Sequence, residues 1–165
     1  MKLTLKNIDK KALQSGVSVF LCIVLCPIFH IESSFYATIA AVITSQTDVL
    51  ESFKTGKNRI YGTFIGALIG IFFAIYFRGN PLFCGLGVSI IIYICHKIWG
   101  TPATNVACIA FIAIMLNIRP NDTPVEYGMY RFIDTTFGVM ISVATSYFLF
   151  HNPILTKFYE IKEDK

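Results

Sequence analysis

Runs of about twenty apolar residues recur along nearly the whole of this chain, separated only by short polar or Gly/Pro segments, and each is long enough to cross a hydrocarbon core. With 55% hydrophobic residues and a mean hydropathy of +0.62 over 165 residues, the chain is too apolar for an ordinary soluble domain. We read six spans: Leu13 to Phe29, Ser34 to Leu50, Arg59 to Phe77, Pro81 to Ile98, Thr101 to Ile118 and Arg131 to Phe150. The expected fold is an all-α membrane protein, one transmembrane domain over residues 1–165 with short cytoplasmic tails at 1–12 and 151–165.

The second span is the least regular. It ends in Thr44, Ser45, Gln46, Thr47 and Asp48, so it is expected to be partly broken and to face protein rather than lipid. Of the 14 lysines and arginines, all but Arg78, Arg119 and Arg131 fall on one side of a six-span arrangement. The positive-inside rule then places both termini in the cytoplasm. The net charge of +4 is a topology signal, because the basic residues are dispersed at span edges and form no aromatic-studded patch for nucleic acid.

The first apolar run lacks a small-x-small cleavage site and is expected to remain as an anchor. Before it, KLTLKNIDKKAL suits either a short interfacial helix or an unstructured basic leader. Cys22, Cys26, Cys84, Cys95 and Cys108 all lie in apolar runs, where cysteine acts as a small hydrophobe; no metal, disulfide or cofactor is assigned. No G-x-S-x-G, H-E-x-x-H, P-loop or dinucleotide fingerprint occurs, so catalysis is not expected.

An internal repeat organises the chain. Sliding RIYGTFIGALIG over RFIDTTFGVMIS matches Arg59 to Arg131, Thr63 to Thr135, Gly66 to Gly138 and Ile69 to Ile141. The small-residue stripe Gly62, Gly66, Gly70 has Asp134, Gly138 and Ser142 as counterparts, one helical turn apart in each case. FYATIAAVI and PATNVACIA correspond more loosely. Two three-helix halves entering the membrane from opposite sides make an inverted repeat, a recurring transporter architecture. Composition alone also makes Gly/Ala/Ser-faced helices resemble one another.

Arg59 and Arg131 are the candidate substrate-binding residues, because a guanidinium stays charged and its planar fork suits carboxylates. Each also has a plainer reading: Arg59 as a positive-inside residue opening its span, and Arg131 as a charge neutralised by Asp134 one turn on. Asp134 joins them as a proton carrier or as that counter-ion. Lys54 and Lys57 are placed to collect anions at the cytoplasmic mouth, though anionic lipid is a simpler partner. Gly62, Gly66, Gly70, Gly138 and Ser142 are read as helix-packing positions. Gln46, Asp48, Asn105 and His96 are weaker polar candidates.

The stretches SSFYATIAAVITSQTDVLESFKTGKNRIYGTFIGALIG and YRFIDTTFGVMISVATSYFLFHNP resemble the fusaric acid resistance protein-like superfamily, and within it the bacterial aromatic acid exporter family. The resemblance covers about Val17 to Pro153, its most specific parts being the lead-in to the Arg59 stripe and the Arg-x-x-Asp-Thr opening of the sixth span. It implies an inner-membrane exporter of aromatic or other organic acid anions, linked to the proton gradient, with Arg59 and Arg131 at the anion. An oligomeric anion channel and a non-transporting scaffold subunit are the competing readings. Many relatives carry a soluble domain or a second membrane half, whereas this sequence ends fifteen residues after Phe150. Six short helices enclose little space, so a homodimer or other homo-oligomer is expected, with organic anion and membrane lipid as the remaining partners.

Overall fold

The computed structural model describes the backbone of residues 2–46, 48–98, 101–118 and 122–151, and the side chains of 11–46, 48–97, 103–118 and 122–149. Six helices follow one another: α1 (Lys2–Ile28), α2 (Ser34–Thr44), α3 (Val49–Phe77), α4 (Pro81–Ile98), α5 (Thr101–Asn117) and α6 (Pro124–His151). No strand occurs among the described residues. Among the described residues, three stretches are long and apolar enough to cross a membrane, Lys11–Ile28, Val49–Phe77 and Pro124–Leu149. Ser34–Thr44, Pro81–Lys97 and Ala103–Asn117 are shorter apolar helices.

Several boundaries differ from the sequence reading, each for a local reason. The residues before Leu13 continue α1 as one helix and form no separate interfacial segment. The expected second span stops at Thr44, after 11 residues and about 16 Å, roughly half a hydrocarbon core. There Ser45 leaves the helix with its amide still bonded to the Ala41 carbonyl, and extended Asp48 precedes α3. The polar end of that segment is turned inward, with Thr44 and Ser45 fully buried, while Thr47 lies outside the described residues. α3 begins ten residues before Arg59, and α6 begins seven before Arg131. At α6 a capping box sets the start: the Thr123 amide and hydroxyl donate to Glu126 Oε2, each at 2.9 Å, and the Glu126 amide donates to Thr123 Oγ1 at 3.2 Å. Pro124 between them supplies the preset φ of a first helical position. Neither arginine therefore opens its helix.

The chain packs inside-out relative to a soluble bundle. Large apolar side chains such as Phe20, Leu68, Phe72 and Phe148 point outward, while Gln14, Ser18, Ser52, Ser142 and Ser146 are fully buried. A hydrocarbon surround favours that arrangement, and water does not. α3 packs on α5 and α6 on α2; α1 packs on α2 and α4 on α5; α1 also touches α6, and α4 touches α3. One apolar core gathers Ile91, Cys95, Ala107, Phe111, Ile114 and Met115, and a smaller one holds Cys22, Cys26, Ala37 and Ala41.

Small residues govern the closest approaches. A methyl on Gly62 would lie 2.5 Å from the Ala103 carbonyl oxygen, and one on Gly66 would run into the Ala107 carbonyl. Gly70 faces Ile114, and Gly138 meets the Ala37 carbonyl as Gly66 meets that of Ala107. The Gly62 stripe thus serves the α3–α5 contact, with α6 on another flank of α3. α3 and α6 run antiparallel, since Gly56 meets Val139, Phe64 meets Phe132 at 5.8 Å between ring centroids, and Ile71 meets Gly128. At the far end, the Arg78 guanidinium donates to the Ile118 carbonyl at 2.6 Å, tying the end of α3 to that of α5.

Candidate functional site

Arg131 lies about 10 Å into α6 and is 4% exposed. Its guanidinium carbon is 3.2 Å from the ring centroid of Tyr36 on α2 and 4.7 Å from that of Tyr127, one turn earlier on α6. Its Nη2 is 3.6 Å from Asp134 Oδ2. Asp134 is fully buried, and its Oδ1 accepts the amide proton of Ser33, the N-cap of α2, at 3.3 Å. The carboxylate therefore sits at the positive end of α2 while facing the arginine. The group of Tyr36, Tyr127, Arg131, Asp134 and Ser33 joins α6 to the start of α2.

Arg59 has the same sequence setting and different company. It is 7% exposed and shares a buried face of α3 with Ser52, Gly56, Thr63 and Gly66. Among the described residues no carboxylate pairs with it, and its Nε has no hydrogen-bond partner. Where α6 places Asp134, α3 has Gly62, and where α6 places Tyr127, α3 has Thr55. On these antiparallel helices the Phe64–Phe132 contact sets Arg59 about six residues from the point opposite Arg131, so the two lie about 9 Å apart along the crossing. The structure does not bring them to one point.

A second buried polar group, which the sequence reading did not single out, lies where α1, α2, α3 and α6 meet. Gln14 Nε2 donates to Ser52 Oγ at 3.5 Å and to the Ser142 carbonyl at 3.4 Å, and Ser52 Oγ also accepts the Gln46 amide proton at 3.1 Å. Ser45 and Ser142 share a hydroxyl contact at 3.1 Å, so Ser142 hydrogen-bonds across the α2–α6 interface as well as packing there. Gln14 Oε1, Ser18 Oγ, Thr44 Oγ1 and Ser146 Oγ are buried without a hydrogen-bond partner among the described residues. The signals for this cluster in the sequence are Gln14, a glutamine just inside an apolar run, and the polar Thr44, Ser45 and Gln46 at the end of the second one.

Lys54 and Lys57 point outward, on the opposite side of α3 from Arg59. Lys57 Nζ lies 5.7 Å from the Tyr61 ring centroid and lines an apolar groove of about 500 Å³ with Phe53, Val139 and Met140. Asp48, Asn105 and His96 are exposed, and Gln46 Oε1 accepts from Lys11 at 3.3 Å. All five cysteines are free thiols. Trp99 and Arg119 lie outside the described residues.

Curated relatives are distant and longer. The chain is 26% identical to a UPF0421 protein of Halalkalibacterium halodurans, covering 86% of this chain and 39% of the relative. It is 26% identical to a UPF0421 protein of Bacillus cereus, covering 85% and 39% respectively. A UPF0421 protein of Staphylococcus aureus is 25% identical, over 96% of this chain and 46% of its own length. The chain thus spans less than half the length of these relatives, and no solved structure matches it significantly. The profile of a membrane transport and resistance family, described as fusaric acid resistance protein-like, matches residues 21–145, and the chain belongs to that family.

Proposed function

We propose that this chain is the membrane unit of a secondary exporter of organic acid anions, aromatic acids among them, with Arg59 as the group that meets the carboxylate. The observation that carries this reading is a guanidinium 7% exposed on an inward helix face, with no carboxylate among the described residues to neutralise it. An uncompensated buried charge is costly, and a carboxylate arriving from solution offsets that cost by supplying the missing partner. Arg131 meets an anion only by giving up part of its contact with Asp134, so its first role in this reading is to hold α6 against α2. Asp134 is its counter-ion, and export driven by the proton gradient calls for a proton carrier that no named residue yet supplies.

In this reading the chain is arranged as two inverted three-helix halves, α2 covering about half of the hydrocarbon core, with both termini cytoplasmic in the bacterial inner membrane. Support comes from packing: exchanging α1 with α4, α2 with α5 and α3 with α6 maps the α3–α6 pair onto itself and every other observed helix pair onto another observed pair. Gly66 and Gly138 further make the same contact with an alanine carbonyl. A homodimer supplies the additional walls that a six-helix unit lacks.

Purified protein in liposomes, given an imposed proton gradient, should move labelled benzoate, and Arg59→Gln should reduce that flux at least tenfold. Absence of organic anion movement under any gradient would falsify the exporter reading. Currents in planar bilayers that reverse at the anion equilibrium potential would replace it with a channel. Unchanged flux in both Arg59→Ala and Arg131→Ala would leave only a packing role for these helices.

A further inference from the structure

The buried cluster of Gln14, Thr44, Ser45, Ser52, Ser142 and Ser146 has no counterpart in the other half of the chain. Where α6 carries Ser142 and Ser146, α3 carries Gly70 and Ala74. Where α2 ends in Thr44 and Ser45, the shared contacts of Ala37 and Ala107 make buried Ile114 and Met115, one turn after Phe111, the matching positions of α5. Phe111 is fully buried, 5.6 Å from Phe73 between centroids, and fills the space over Gly87. The same corner of the fold is thus lined with hydroxyls and an amide at one end of the bundle and sealed with aromatic and aliphatic side chains at the other.

The orientation of Gln14 identifies what the polar corner accepts. Its amide faces the Ser142 carbonyl, which only accepts hydrogen bonds, so the NH2 must lie on that side and Oε1 is the unpartnered atom. An acceptor buried beside hydroxyls that both donate and accept calls for a ligand with protons to give. Water meets that requirement, and a carboxylate that arrives still carrying water meets it while accepting from the hydroxyls. The cluster also adjoins Arg59: Thr44 packs 3.2 Å from where a Gly56 side chain would begin, and helical side chains lean toward the N-terminus, which takes Arg59 over the turn of Gly56.

We propose that this cluster is a hydrated subsite for the carboxylate, the aqueous approach to Arg59 from the end of the bundle bearing Lys11 and Lys54, and that the Phe111 corner is a hydrophobic plug. The assignment rests on the exporter reading for its ligand. Water reaches Arg59 from one end, and passage to the other requires α4 and α5 to move away from α3. The neutral lining lets an anion shed water against hydroxyls before it meets the guanidinium, without a second fixed charge to trap it.

The test is cysteine accessibility in full-length protein whose five native cysteines are replaced. Single variants Ser142→Cys, Ser52→Cys, Ala74→Cys and Phe111→Cys are reconstituted, checked for monodisperse elution, and treated from each face with a membrane-impermeant anionic methanethiosulfonate. Modification of Ser142→Cys and Ser52→Cys from the Lys11 face at least tenfold faster than of Ala74→Cys and Phe111→Cys, slowed by excess benzoate, supports the proposal. Serine-site variants as inert as the Phe111 site overturn it, even if benzoate flux is normal. Fast modification that benzoate does not slow, together with flux indifferent to Arg59→Gln, removes the exporter reading and the carboxylate assignment and leaves only the hydrated cluster.

Discussion

Replacing Asp134 by asparagine isolates the energetic role of the buried pair, because the asparagine oxygen can still accept the Ser33 amide proton while the negative charge is lost. The pair is separated by 3.6 Å with both side chains at most 5% exposed, which at an effective dielectric near 20 corresponds to an attraction of about 4 to 5 kcal/mol. Removing one partner leaves an uncompensated guanidinium in a fixed site, so the variant should lose about 3 to 5 kcal/mol of stability. The stacking on Tyr36 and Tyr127 survives the change and tempers the loss. Equilibrium unfolding by SDS in mixed micelles, followed by near-ultraviolet circular dichroism, measures it. The companion variants are Arg131→Met and the double Arg131→Met/Asp134→Asn. Removing both charges should cost less than the sum of the single losses by at least about 2 kcal/mol. Additive losses, or an Asp134→Asn variant as stable as the parent, would refute the view that this pair holds α6 to α2.

The same chemistry at Arg59 should act with opposite sign: Arg59→Met removes a buried charge without a described counter-ion and should raise stability in the same SDS titration by about 2 to 3 kcal/mol while abolishing benzoate flux. Gly66→Ala places a methyl against the Ala107 carbonyl and should lose about 1 to 3 kcal/mol, whereas Gly85→Ala, with nothing within 4 Å, should be neutral or gain up to about 1 kcal/mol; thermal denaturation in detergent distinguishes the two. Thr123→Val breaks the capping box at the start of α6 and should cost about 1 kcal/mol, read as a lower SDS midpoint.

Hydropathy located the helices well where a proline and a glycine punctuate the chain. α4 begins at Pro81 as read, after Gly79 with φ +72 ends the preceding turn and Asn80 Oδ1 accepts the Leu82 amide proton. It fails at α6, where Thr-Pro-Val-Glu is a complete helix-start signal that hydropathy does not register, because the long apolar run begins only after Arg131. It fails again at α3, since Glu51, Lys54 and Lys57 look like a loop, yet they lie on the outward side of a helix whose inward side reads Ser52, Gly56, Arg59. Polar content marks a boundary only when it covers all faces of a turn. The Arg131–Asp134 contact was legible from one-turn spacing, but Tyr36 and Ser33 come from a helix about a hundred residues earlier, and no local pattern announces them.

α3 and α6 share one packing device and differ in the residue that neighbours their arginine. Gly66 and Gly138 answer the same backbone demand, because each lets a long helix lie on an alanine carbonyl, and only a missing side chain permits it. The positions one turn earlier face no such shared demand and differ, Gly62 in α3 and Asp134 in α6. That single difference separates the two arginines in kind. A charge that fixes structure must be neutralised at all times, which requires a partner in the chain itself. A charge that serves transport must be neutralised only when the ligand is present, which requires that the chain withhold that partner. One arginine cannot satisfy both conditions, and two helices that carry arginine at corresponding positions can meet them only by differing in the residue beside it. Glycine at position 62 thus has two consequences: it closes α3 onto α5, and it leaves Arg59 without the carboxylate that Arg131 has.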